Sequence, residues 1–95
     1  MDEKRKERLD SIVPTTGLAR ELLKDSYWFD SNAHFAEAIG INISSLYHYL
    51  YGKFPTKGKR PWLMLVEYFG CSESEMEDLC SELKEGESDI ENRAI

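Results

Sequence analysis

The stretch FAEAIGINISSLYHYLYGK, residues 35–53, decides the fold. Phe35, Ala36 and Ile39 share one face of a short helix, and Gly40 suits the left-handed position that ends one. Asn42 is a good N-cap, Leu46, Tyr49 and Leu50 recur at helical spacing, and Gly52 stops the second helix. Only a three-residue joint separates the two. Helices that cross at about 90–120° through so short a turn need a small side chain at the close approach and a residue that tolerates the turn. Ala36 and Gly40 meet these needs, while Phe35, Ile39, Ile41, Leu46 and Tyr49 supply the apolar packing.

The same punctuation extends in both directions. A helix over residues 16–26 places Leu18, Leu22 and Leu23 near one face, capped by Thr15 or Thr16 after Pro14. The aromatic run Tyr27-Trp28-Phe29 follows, and Asp30 or Ser31 caps the helix that holds Phe35. Beyond Gly52, residues 53–60 read as a basic loop. Pro61 then belongs in the first turn of a fourth helix carrying Leu65, Val66 and Phe69 to Gly70. Ser72 and Glu75 fit a capping box, with Met76, Leu79, Cys80 and Leu83 behind it at i, i+3, i+4 and i+7. Trp28, Tyr49 and Trp62 are assigned to the core and Tyr47 and Tyr51 to the outside. No alternating strand pattern of useful length occurs. The expectation is an all-α, compact five-helix domain over residues 15–83, with the paired helices at about 32–51. Residues 1–14 form a charged extension in which Leu9 and Ile12 permit a further charged helix. Residues 84–95 form an acidic tail, expected to be disordered.

Length and composition set outer limits. A chain of 95 residues and 11.0 kDa holds one core rather than two. It contains no apolar run of membrane-spanning length, and no apolar stretch follows the basic residues at its start, so neither a span nor a secretory signal is expected. Two cysteines nine positions apart do not make a disulfide framework, and a cytoplasmic location is the simplest expectation. His34, His48, Cys71 and Cys80 lack zinc-ligand spacing, and no catalytic motif is visible. No metal, cofactor or enzymatic activity is therefore expected.

Charge is more informative. The net charge is −6, which by itself disfavours a polyanionic partner. Its distribution is uneven: residues 1–30 carry −1, residues 31–62 carry +3, and residues 63–95 carry −8. The positive middle third contains the two paired helices.

These residues resemble the Cro/CI, lambda-repressor-like helix-turn-helix domains of phage and bacterial regulators, also called the xenobiotic-response-element type. The recurring text of that family appears here as Phe35, Ala36, Ile39, Gly40, Ile41, Asn42, Leu46, Tyr47, Tyr49, Gly52 and Lys53. The likeness covers about residues 15–83. It implies a third helix lying in the DNA major groove. Ile43, Ser44, Ser45, Tyr47 and His48 would face base edges, with Ser44 and His48 the better hydrogen-bonding groups. Asn32, Tyr51, Lys53, Lys57, Lys59 and Arg60 would hold the sugar-phosphate backbone. The chain departs from the pattern at Ile43 and Asn32, where Gln is common, and at His34, where a capping-box Glu is frequent. Ile43 can meet a thymine methyl but reads no hydrogen-bonding pattern.

The resemblance implies a sequence-specific double-stranded DNA-binding transcriptional regulator, repressor-like and of phage or mobile-element type, acting as a homodimer on a palindrome. The acidic C-terminal third is expected to face away from DNA as a dimer or partner surface. The alternative is an antirepressor or cofactor-like module of the same ancestry that binds another regulator. Its motive is the overall acidity and the apolar-aromatic group Ile43, Tyr47 and Tyr51.

Overall fold

The computed structural model describes residues 3–83. They form six helices: α1 (Glu3–Asp10), α2 (Gly17–Ser26), α3 (Asn32–Ile39), α4 (Ile43–Leu50), α5 (Arg60–Phe69) and α6 (Glu73–Leu79). The all-helical class stands; the count of five does not. The additional helix is α1, in the segment expected to be a charged extension. The acidic tail, residues 84–95, lies outside the described residues.

Local chemistry places most helix ends. The Thr16 hydroxyl accepts from the Ala19 N–H at 2.9 Å, Ser31 from His34 at 3.1 Å, and the Asn42 side chain from Ser44 at 2.8 Å. Each satisfies one of the N–H groups that a helix start leaves without an internal partner. At α6 the Ser72–Glu75 capping box is complete: Glu75 N–H donates to Ser72 Oγ at 3.1 Å, and Ser72 N–H donates to Glu75 Oε1 at 2.8 Å. This interaction holds the Glu75 carboxyl below its ordinary range.

The turn between α3 and α4 depends on Gly40, which has φ +94°. Ile41 N–H closes onto Ala36 O at 3.0 Å, the six-to-one bond of a Schellman cap. A Cβ at Gly40 would stand 3.1 Å from Met64 Sδ on α5. Gly40→Ala is thus expected to cost about 1–2 kcal/mol in left-handed backbone strain alone. In thermal denaturation this amounts to a fall in Tm of roughly 5–15 °C; an unchanged Tm would contradict the account of the turn.

The core joins Leu18 and Leu22 of α2, Phe35, Ala36 and Ile39 of α3, Leu46, Tyr49 and Leu50 of α4, Trp62 and Leu65 of α5, and Met76 of α6. Helix α2 packs on α4 and α6, and α3 on α4 and α5. Tyr68 of α5 donates to Asp25 of α2 at 2.8 Å, and burial together with this bond pushes its phenol up to about 12.

Two assignments need correction. Trp62 is buried, its indole N–H without a partner among the described residues, but Trp28 is 85% exposed. Three consecutive aromatic side chains leaving a helix cannot all turn inward. Phe29 takes the inner place, stacked on Phe35 with ring centroids 4.7 Å apart. Tyr27 is held by Asp10, to which its hydroxyl donates at 2.5 Å, and Trp28 is left facing solvent. The last helix also ends early. Instead of running to Leu83, α6 stops at Leu79, and the chain turns extended along the start of α2. There Gly17 N–H donates to Ser81 O at 3.3 Å, and Leu83 N–H to Thr15 O at 2.8 Å.

The short polar α1 is attached by the Asp10–Tyr27 bond, by buried Leu9 and by Arg5. Arg5 is 5% exposed. Its guanidinium donates to Ser26 O at 2.8 Å, to Phe29 O, and to Asn32 Oδ1 from Nε at 3.2 Å and Nη2 at 2.7 Å. A cation at the carbonyl end of α2 meets both its last C=O group and the negative end of its dipole. Leu9, one turn further along α1, is buried as well.

Candidate nucleic-acid interface

Helix α4 is fixed from behind. Leu46, Tyr49 and Leu50 are buried, so the residues one helical face away point outward. Ile43, Ser44, Tyr47, His48 and Tyr51 are exposed on that face, at i, i+1, i+4, i+5 and i+8. Of the five residues expected at base edges, the structure brings four together there. The fifth, Ser45, is half-buried on the side of Tyr49. The Tyr49 phenol is raised by burial and drawn partly back by Ser45. Ser45 thus belongs to the seam between face and core.

The basic loop is anchored by buried Pro55 and by a turn in which Lys59 N–H donates to Thr56 O at 3.0 Å. Lys53 follows directly on α4, and its N–H closes onto His48 O at 2.9 Å. Lys53, Lys59 and Arg60 are exposed and make no ion pair among the described residues. Among the described residues no side chain caps the start of α5, where Lys59 and Arg60 stand. The positive end of that helix dipole adds to their charge.

Lys57 differs. Its ammonium lies 2.7 Å from Glu77 Oε2 on α6 and is held above its ordinary range, first by the hydrogen bond to Glu77 and then by that carboxylate's charge. The acidic third was expected to face away from the basic surface. Instead, one edge of α6 meets the loop, because opposite charges on neighbouring exposed elements pair when geometry allows.

Asn32 also departs from a free backbone-contacting role. Its carbonyl oxygen accepts from Arg5, and its amide N–H donates to the Tyr47 hydroxyl at 3.2 Å. Beside this chain of bonds lies a cleft of about 280 Å³ lined by Arg5, Arg8, Asn32, Ile43 and Tyr47, among others. Arg5 and Arg8 belong to no local motif that sets them apart from their charged neighbours. The signal available for Arg5 was its spacing: with Leu9 and Ile12 it falls at i, i+4 and i+7, on a single helix face.

No protein-family model, curated protein or solved structure matches this chain. Among the described residues, no group of three or more His, Cys, Asp or Glu is placed to hold a metal ion. No described helix is long and apolar enough to cross a membrane. Cys71 and Cys80 are unpaired, and burial pushes the Cys80 thiol up to about 11, far from a reactive thiolate.

Proposed function

We propose that this chain is a sequence-specific double-stranded DNA-binding regulator of helix-turn-helix type that inserts α4 into the major groove. The observation carrying this reading is the open face of α4, continuous in sequence with the cationic loop. Ser44 and His48 offer hydrogen-bonding groups to base edges, and Ile43 an apolar surface to a thymine methyl. Tyr51, Lys53, Lys59 and Arg60 serve the phosphates, fixing register without reading sequence. An eight-residue helix is only about 12 Å long and reads four or five base pairs. Useful specificity then calls for two copies on a palindrome, with half-sites about one helical turn apart.

Selection from random duplexes at modest salt tests this directly. The expected result is an enriched palindromic motif, bound with an affinity that falls steeply as salt rises. Failure to enrich any motif would overturn it. A second reading, docking onto another protein regulator, is favoured by the exposed apolar-aromatic trio Ile43, Tyr47 and Tyr51. Capture of a protein partner undiminished by high salt, with no duplex binding, would support that reading instead.

A further inference from the structure

We infer that Arg5, acting through Asn32, makes Tyr47 a one-way hydrogen-bond donor toward the duplex, so that α1 is a positioning part of the reading face. This inference rests on the DNA-binding reading and goes beyond it in assigning a polarity to one side chain.

The chemistry follows from donor and acceptor inventories. A guanidinium only donates, so the Asn32 atom facing Arg5 must be the carbonyl oxygen. The two Arg5 bonds, at 3.2 and 2.7 Å, are both to Oδ1. Once that oxygen is turned inward, the amide nitrogen must lie on the opposite side, and it donates to the Tyr47 hydroxyl at 3.2 Å. An amide NH₂ also only donates, so here the phenol oxygen is an acceptor and its own proton points elsewhere. Tyr47 is 41% exposed on the outer face of α4. Its O–H is thus directed to an acceptor beyond the protein surface: a phosphate oxygen, or guanine N7 or O6, or thymine O4. Arg5 is itself held by Ser26 O and Phe29 O, so the polarity is set from buried backbone outward and does not depend on ligand. Arg5 touches no ligand in this scheme.

The test is a double-mutant cycle on the selected duplex. Asn32→Asp retains acceptors for Arg5 and so preserves the anchor of α1, but a carboxylate accepts from the Tyr47 hydroxyl and turns its proton inward. Binding is expected to fall, and to fall about five- to tenfold further in the Tyr47 background than in the Tyr47→Phe background. The added negative charge repels phosphate equally in both and cancels in the cycle, as does any general loss of structure. Equal losses in the two backgrounds would overturn the inference. A separate measurement on the free full-length chain is the nuclear Overhauser contact between the Asn32 side-chain amide protons and the Tyr47 ring. Its absence would overturn the inference whatever the duplex result. If the contact is present but no duplex is selected by the wild-type chain, the regulator reading and the assigned role of Tyr47 fall together, and the bond itself stands as structural.

Discussion

An Arg5→Met variant is expected to lose about 2–3 kcal/mol of folding stability, which for a domain of this size lowers Tm by roughly 10–20 °C. The methionine replaces most of the apolar stem and none of the donors. Ser26 O is left without its charged partner at the end of α2, Phe29 O and Asn32 Oδ1 lose theirs, and α1 loses the Arg5 bonds that tie it to the end of α2 and the start of α3. Ser26 O keeps the Phe29 N–H at 3.3 Å, but bonds from a charged donor are among the stronger ones, and losing several together is why one side chain has so large an effect. Lys6→Ala is the matched control on the same helix. Lys6 pairs with Asp10 at 3.2 Å with both side chains at least half exposed, and such pairs contribute only a few tenths of a kcal/mol. Thermal or urea denaturation of both variants makes the comparison. If Arg5→Met were as stable as Lys6→Ala, Arg5 would not be the anchor of α1.

What could and could not be read from the sequence follows from the range of the interactions. Ser31, Asn42 and Ser72 cap as their positions suggest, because a cap bond reaches only two or three residues along the chain. The inward set Phe35, Ile39, Leu46, Tyr49 and Leu50 was legible for a similar reason: helical spacing alone puts these residues on faces that must be covered. Arg5 was not legible in the same way. Its partners are 21, 24 and 27 residues distant, and in a segment as charged as MDEKRKERLD nothing distinguishes an arginine destined for burial from its solvated neighbours except its register with Leu9. Trp28 failed because hydrophobicity ranks the residue but not its direction at a helix end, where Phe29 won the inner position. The early end of α6 failed because Leu83 continues the helical spacing, while the extended pairing of residues 81–83 with the start of α2 is a long-range event that competes with it. At the candidate site, the exposed positions on α4 came from the periodicity that fixed the core. The commitments of Asn32 and Lys57 to protein partners depend on which elements lie beside them in space, and no spacing encodes that.

The pairing of Lys57 with Glu77 separates the loop cations into two kinds, and the second large effect is expected from the unpaired kind. Replacing Lys59 and Arg60 together by alanine is expected to weaken binding to the selected duplex by roughly ten- to hundredfold at low salt. The slope of log affinity against log salt should become shallower by about 2, one for each phosphate contact removed. The loss should be nearly uniform across sequences, since backbone contacts carry no base information. Lys57→Ala should do less. Its ammonium is already partly neutralised by Glu77, so a phosphate must first displace a carboxylate at 2.7 Å, and the net gain from that exchange is small. Salt titration of the three proteins on one duplex discriminates sharply. Should Lys57→Ala flatten the slope by about 1, half the change in the double variant, Glu77 is no competitor and α6 is merely nearby. Should the double variant keep the wild-type slope, the loop does not touch phosphate, and an exposed helix face without a cationic flank is a surface for protein rather than for nucleic acid.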